Sequence, residues 1–230
     1  MDNVNQAKVL VVDDSETNRL LLSFILEELE FDCDVADNGE KAVELALEFD
    51  YVAVFMDLNM PVMSGLEATE VLRNINFETL IFACSAEDNP KKIDSLLESG
   101  FNGFVTKPIE PEDIRDILNK HGVNSTLLPS ADNDSYQKKL DQLGNRFVNN
   151  LPVMIGKIEH SLNNNTVSEL KRIAHKLKGT ASQFGFENIA IIGRNIESAI
   201  NKNKLPVALE KAEFLLTELK RIEKQNNNWQ

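Results

Sequence analysis

The first half of the chain alternates short, continuously apolar runs with stretches whose apolar residues return every three or four positions. Lys8-Val-Leu-Val-Val12, Cys33 to Ala36, Tyr51 to Met56, Leu80 to Cys84 and Phe101 to Thr106 predict five strands. Between and after them, Arg19 to Leu29, Gly39 to Phe49, Leu66 to Ile75, Lys91 to Ser99 and Pro111 to Asn119 predict helices, the last with proline in its first turn. Strands apolar on both faces and separated by helices predict an α/β fold, a five-stranded doubly wound parallel sheet covered on both sides.

The pattern then changes. Gly122 to Ser135 is small, polar and interrupted by Pro129, the composition of a linker. Beyond it every apolar repeat is helical: Tyr136 to Asn149, Pro152 to Leu162, Val167 to Phe184, Glu187 to Asn201 and Pro206 to Gln225. Short connections between amphipathic helices predict an all-α region, an antiparallel bundle of roughly four long helices. The expected division is therefore a domain over 1–121, a linker over 122–135 and a helical domain over 136–230.

Composition narrows the classes. At 230 residues, 42% of them hydrophobic, the chain can bury two ordinary cores. No run approaches 18 apolar residues, so membrane insertion is not expected. The first residues lack a basic start and an apolar core, which leads us to expect a cytoplasmic protein. Cys33 and Cys84 have no metal-ligand spacing around them, against a disulfide scaffold or zinc site. The net charge of −13 is unevenly divided: residues 1–120 carry 26 acidic and 9 basic side chains, residues 121–230 carry 11 and 15. Opposite signs favour association between such domains or with similar ones.

Ligands of an open parallel sheet bind beyond the carboxyl ends of its strands. Those ends carry Asp13 and Asp14, Asp57, Ser85, and Lys107. They converge if the first, third, fourth and fifth strands are neighbours. Clustered carboxylates repel and need a cation, and with no His or Cys among them Mg²⁺ is the natural partner. A metal-bound carboxylate, a lysine and a hydroxyl are what a phosphoryl group needs around it.

In the helical half, His175 stands out by its phase. At about 100° per residue, Leu170, Ile173, Ala174, Leu177, Ala181 and Phe184 form one stripe roughly 100° wide, and His175 lies about 150° from its centre, towards solvent. Lys171, Arg172, Lys178 and Gly179 are its neighbours on the helix. An exposed neutral imidazole is a nucleophile. Lys178 can offset the charge of a phosphate on it, and Gly179 removes a side chain where a partner approaches. His121 is expected to favour a helix C-terminus, and His160 to be surface.

Residues 5–120 resemble a response-regulator receiver domain, of flavodoxin-like fold. The matching text is Val-Leu-Val-Val-Asp13-Asp14, Asn38-Gly39, Met56-Asp57-Leu-Asn59-Met-Pro61-Val-Met-Ser-Gly65, Ala83-Cys-Ser85-Ala and Phe104-Val-Thr-Lys107-Pro108. The resemblance implies that Asp57 is the phosphate acceptor. It implies Mg²⁺ on Asp14, the Asp57 carboxylate and the backbone carbonyl of Asn59, with Asp13 acting through water. Lys107 and Ser85 would bind the phosphate, Phe104 would move inward with Ser85, and Lys107-Pro108 would be cis. Ser85 stands where threonine is commoner, and Glu87 would tune hydrolysis. The string Ala174-His175-Lys-Leu177-Lys178-Gly179-Thr180-Ala181-Ser-Gln-Phe-Gly185 resembles the active-site motif of histidine-containing phosphotransfer (HPt) domains, which implies that His175 is phosphorylated.

A receiver joined to an HPt domain implies a phosphorelay protein and phosphocarrier rather than an enzyme with an external substrate. Its partners would be a sensor histidine kinase as phosphodonor and a receiver domain, its own or another's, for His175. One rival is an aspartyl-phosphate-type phosphatase, but that needs an acid at position 59, which is Asn59. Another is a non-catalytic binding module that inhibits a sensor kinase. A helical half only four charges to the positive side, with no helix-turn-helix left over, is not expected to bind nucleic acid.

Overall fold

The computed structural model describes residues 7–86, 90–123 and 133–227. Glu87, most of the segment of linker composition and the last three residues lie outside them. The element order is β1 (Lys8–Val12), α1 (Glu16–Glu28), β2 (Asp32–Ala36), α2 (Gly39–Glu48), β3 (Ala53–Asp57), α3 (Gly65–Asn74), β4 (Leu80–Ser85), α4 (Pro90–Glu98), β5 (Gly103–Thr106) and α5 (Pro111–Lys120). The helical half holds α6 (Asn133–Asn149), α7 (Leu151–Asn163), α8 (Val167–Thr180), α9 (Glu187–Asn201) and α10 (Leu205–Asn227), with a 3₁₀ turn at Ser182–Phe184.

All strand pairs are parallel, in the order β2-β1-β3-β4-β5. The expected neighbours β1, β3, β4 and β5 are therefore adjacent. Burial follows that order. The inner strands β1, β3 and β4 are buried almost throughout, whereas β2, reading Asp-Cys-Asp-Val-Ala, is the wet edge. Polar residues fix where helices start: Asn38 Oδ1 accepts the Lys41 N–H, and Ser64 and Glu67 form a reciprocal capping box before α3. The strand order reverses between β1 and β3, and the crevice of such a sheet opens beyond the strand ends at that point.

The bundle core gathers Leu151 and Ile158 of α7, Leu170 and Leu177 of α8, Ile189 and Ile196 of α9, and Leu215 and Leu219 of α10, with Phe147 of α6. The stripe predicted on α8 is the face that is buried. The helix does not continue to Phe184, however. It ends at Thr180, and the 3₁₀ turn keeps Phe184 nearly in phase while laying its ring on Phe147, centroids 5.8 Å apart.

The chain divides into two compact units, Met1–Gln137 and Lys138–Gln230. That division falls inside α6, whose described start at Asn133 lies within the stretch of linker composition. Tyr136, in the first unit, is buried and donates its hydroxyl to the Ile109 carbonyl. Among the described residues no helix is long and apolar enough to cross a membrane.

Candidate functional site

Three strands of the sheet, β1, β3 and β5, each deliver one charged group to the mouth of the first unit. Asp13 follows β1, Asp57 ends β3 and Lys107 follows β5. The Lys107 ammonium sits between the two carboxylates, 2.6 Å from Asp13 Oδ2 and 2.6 Å from Asp57 Oδ1, with all three side chains at most 8% exposed. Burial alone would lower the lysine pKa; the two carboxylates outweigh it and hold the ammonium above its ordinary value.

The loops lock these groups in place. Asp13 accepts the Ser15 N–H at 2.8 Å and the Asn18 side-chain amide at 3.0 and 3.1 Å. Asp57 Oδ2 accepts the Asn59 N–H at 3.1 Å. The Lys107 N–H donates to the Ser85 carbonyl at 2.7 Å, tying the ends of β4 and β5 together. The Lys107-Pro108 bond is cis, as the resemblance implies. Gly65 backs the site from the other side: a Cβ there would lie 2.0 Å from the Asp57 carbonyl oxygen, so only glycine lets α3 approach so closely.

Ser85 is buried at the end of β4, one residue beyond Cys84, the register partner of Asp57. Phe104 pairs with Ala83 and is half-buried against the cluster containing Met56 and Leu72. The buried Cys84 thiol has its pKa pushed up to about 12, first by burial, and is not a nucleophile here.

The expected trio of carboxylates is not a ready-made cage. Among the described residues no three His, Cys, Asp or Glu side chains are gathered closely enough to hold a metal by themselves. Asp13 and Asp57 meet instead at Lys107, which already supplies the cation that two buried like charges require, while Asp14 is half-buried. The donors remain hard oxygens around a positive charge, a set that fits Mg²⁺.

The second constellation sits on α8 and α9. His175 is less open than its helical phase predicts, with 21% of its side chain exposed, because α9 lies alongside. Its Nδ1 is 2.9 Å from Glu197 Oε1, and the other oxygen of Glu197 is 3.4 Å from Lys178 Nζ. Burial pushes the Glu197 carboxyl up, but His175 and Lys178 more than reverse this and bring its pKa down to about 2. A carboxylate on Nδ1 fixes the ring and leaves Nε2 as the imidazole nitrogen that Glu197 does not engage.

Sequence reasoning missed Glu197. Its signal was Gly193, one turn earlier on the same helix: a Cβ there would lie 2.7 Å from the Ala174 carbonyl oxygen and 3.2 Å from the Lys178 nitrogen. A glycine at that contact is what allows α9 to approach closely enough to bring the Glu197 carboxylate to the imidazole. Lys171 and Arg172 are exposed, and Lys176 and Gly179 are half-buried. His160 is exposed as expected. His121 does more than end α5: its ring packs edge-on against Phe82, centroids 5.2 Å apart.

Two family models match the chain, the response regulator receiver domain over residues 9–119 and the Hpt domain over 142–225. The chemotaxis protein CheY of Halobacterium salinarum is 38% identical over 112 residues, covering 48% of this chain and 92% of that protein. The signal transduction histidine-protein kinase BarA of Escherichia coli aligns along 88% of this chain at 24% identity, although that alignment covers only 25% of BarA. The solved structure of Vibrio cholerae CheY4 has a TM-score of 0.48 and 31% identity, covering 50% of this chain and 98% of that one.

The chain belongs to the response regulator receiver family, and its receiver is followed by an Hpt domain. It is a phosphorelay protein.

Proposed function

We propose that Asp57 accepts a phosphoryl group from a phosphohistidine of a sensor histidine kinase, and that His175 carries one to or from a receiver aspartate. The observation that carries this reading is the Lys107 ammonium shared at 2.6 Å by Asp13 and Asp57. An Asp57 oxygen attacks phosphorus in line as the bond to the donor imidazole breaks. Lys107 remains to neutralise the phosphoryl oxygens, and the buried Ser85 hydroxyl binds one of them after transfer. Asp13, Asp14, Asp57 and the Asn59 main-chain oxygen would hold Mg²⁺, which when bound supplies charge neutralisation at the phosphoryl oxygens.

At the second site Glu197 holds Nδ1, so Nε2 is the nucleophile and Lys178 stands by for the incoming charge. Glu197 is a positioning residue, acting through the imidazole. The phosphoryl group leaves the Asp57 carboxylate, or another receiver's, and bonds to Nε2; the sequence His to Asp to His puts His175 downstream of Asp57. The protein works in the cytoplasm as a carrier with no external substrate.

The test is labelling of wild type, Asp57→Asn and His175→Gln by a small phosphodonor with Mg²⁺. Acid-stable label should vanish in Asp57→Asn, and base-stable label in His175→Gln. Label persisting on His175 in Asp57→Asn would remove the receiver from the route.

A further inference from the structure

On the Hpt unit a groove runs between α9 and α10, about 460 Å³ in volume, lined by Ile191, Asn195, Lys211, Phe214 and Glu218 among others. Two of its apolar residues are wet, Phe214 at 56% exposed and Ile191 at 42%, while Ile192 is buried beneath them. Val207, also on α10, is 39% exposed. Along α10, Val207, Lys211, Phe214 and Glu218 recur at spacings of four, three and four, so they form one stripe along the helix.

We propose that this stripe is a self-association surface, on which α10 pairs antiparallel with α10 of a second copy of the chain. The argument is charge complementarity. Lys211 lies about one turn before Phe214, and Glu218 about one turn after it. Reversing the helix about Phe214 therefore lays each Lys211 over the Glu218 of the other copy, and the two aromatic rings against each other. A two-fold interface demands this self-complementarity, with each residue and its counterpart exchanging roles. Arg221 engages only the Oε2 oxygen of Glu218, so Oε1 can take a second cation. The same reversal brings Val207 towards the Ile222 of the other copy.

The pairing leaves phosphotransfer open. On α9, Asn188, Ile191 and Asn195 are about 120–180° in helical phase from Glu197, the residue that holds His175. One helix pair is smaller than a standard interface, so the dimer is expected to be weak and concentration-dependent. The proposal is independent of the relay chemistry, because its readout is mass rather than label.

Sedimentation equilibrium of the full chain over a range of concentrations tests it. Wild type should show a monomer–dimer equilibrium. Phe214→Glu should be monomeric with an unchanged helical circular dichroism spectrum. Lys211→Glu and Glu218→Lys should each weaken association by about tenfold. The double reversal should restore it, and so should an equimolar mixture of the two single variants, in which both cross-pairs become opposite in sign. A wild type that stays monomeric throughout, or single reversals that associate like wild type, would overturn the proposal. A monomeric wild type whose Phe214→Glu variant is slow in transfer to His175 would assign the face to a receiver instead, and overturn it equally.

Discussion

The two reactive centres solve the problem of holding a reactive side chain in opposite ways. Asp57 is enclosed, and its partners come from strand ends scattered over nearly a hundred residues, with Lys107 reaching Asp13 at a separation of 94. His175 is built from one helical hairpin, α8 and α9, with Glu197 only 22 residues away. In the first, a cation separates two anions; in the second, an anion joins two groups that can both be cationic. The receiver centre is thus held by the fold as a whole, and the Hpt centre by a single contact between helices. Each has one glycine behind it, Gly65 against the Asp57 carbonyl and Gly193 against Ala174 and Lys178.

If that contrast holds, the largest effect should come from Lys107→Met. It leaves two buried carboxylates facing each other, and should cost about 3–5 kcal/mol of receiver stability in urea unfolding, with the Hpt transition unmoved. Equal loss in both transitions would break the contrast.

The glycines come next. Gly65→Ala should destabilise the receiver by about 3 kcal/mol, at the upper end of overpacking costs. Gly193→Ala should cost the Hpt domain about 1 kcal/mol, because alanine's helix preference offsets part of the clash. Thermal unfolding of the two variants would sharpen the comparison if the order holds.

Glu197→Gln should slow transfer to His175 by about tenfold, roughly 1.4 kcal/mol, while leaving Asp57 labelling alone. It should also flatten an acid limb. The Glu197 carboxyl titrates near 2 instead of 4.5, so it contributes stability present above 4.5 and lost as pH falls towards 2. An unchanged stability profile over that window would remove Glu197 from the network.

The smallest effect is ionic. Lys171 and Arg172 are exposed beside His175, and receivers such as residues 1–120 are acidic, so transfer should slow a few-fold as salt rises. A rate independent of salt would remove steering from the account.

Much of this arrangement was legible in the chain. Strands buried on both faces read as unbroken apolar runs, which places β1 at its observed bounds, and the apolar repeats place the starts of α2 and α5 at Gly39 and Pro111, whereas α3 begins at Gly65, one residue before the repeat does. The residues at the Asp57 centre lie at strand ends, where a parallel sheet always collects them. What escaped was contact between elements. Helical phase places His175 relative to its own helix but knows nothing of α9, so neither Glu197 nor the partial burial of the imidazole can be read from α8 alone. Asn18, which clasps Asp13, lies just before the helical repeat that begins at Arg19, and nothing in its position marks it as a partner. The end of α8 was overrun because a 3₁₀ turn nearly preserves the period that defines a helix.

The scatter of the Asp57 centre has a consequence for its making. A ribosome must deliver residue 107 before the ammonium can close over the two carboxylates, so a nascent chain lacking β5 carries an uncompensated acidic cleft. The imidazole needs only its own hairpin and the core beneath. A proteolytic cut near residue 100 would therefore silence one centre and spare the other, making the receiver the half whose damage shows first.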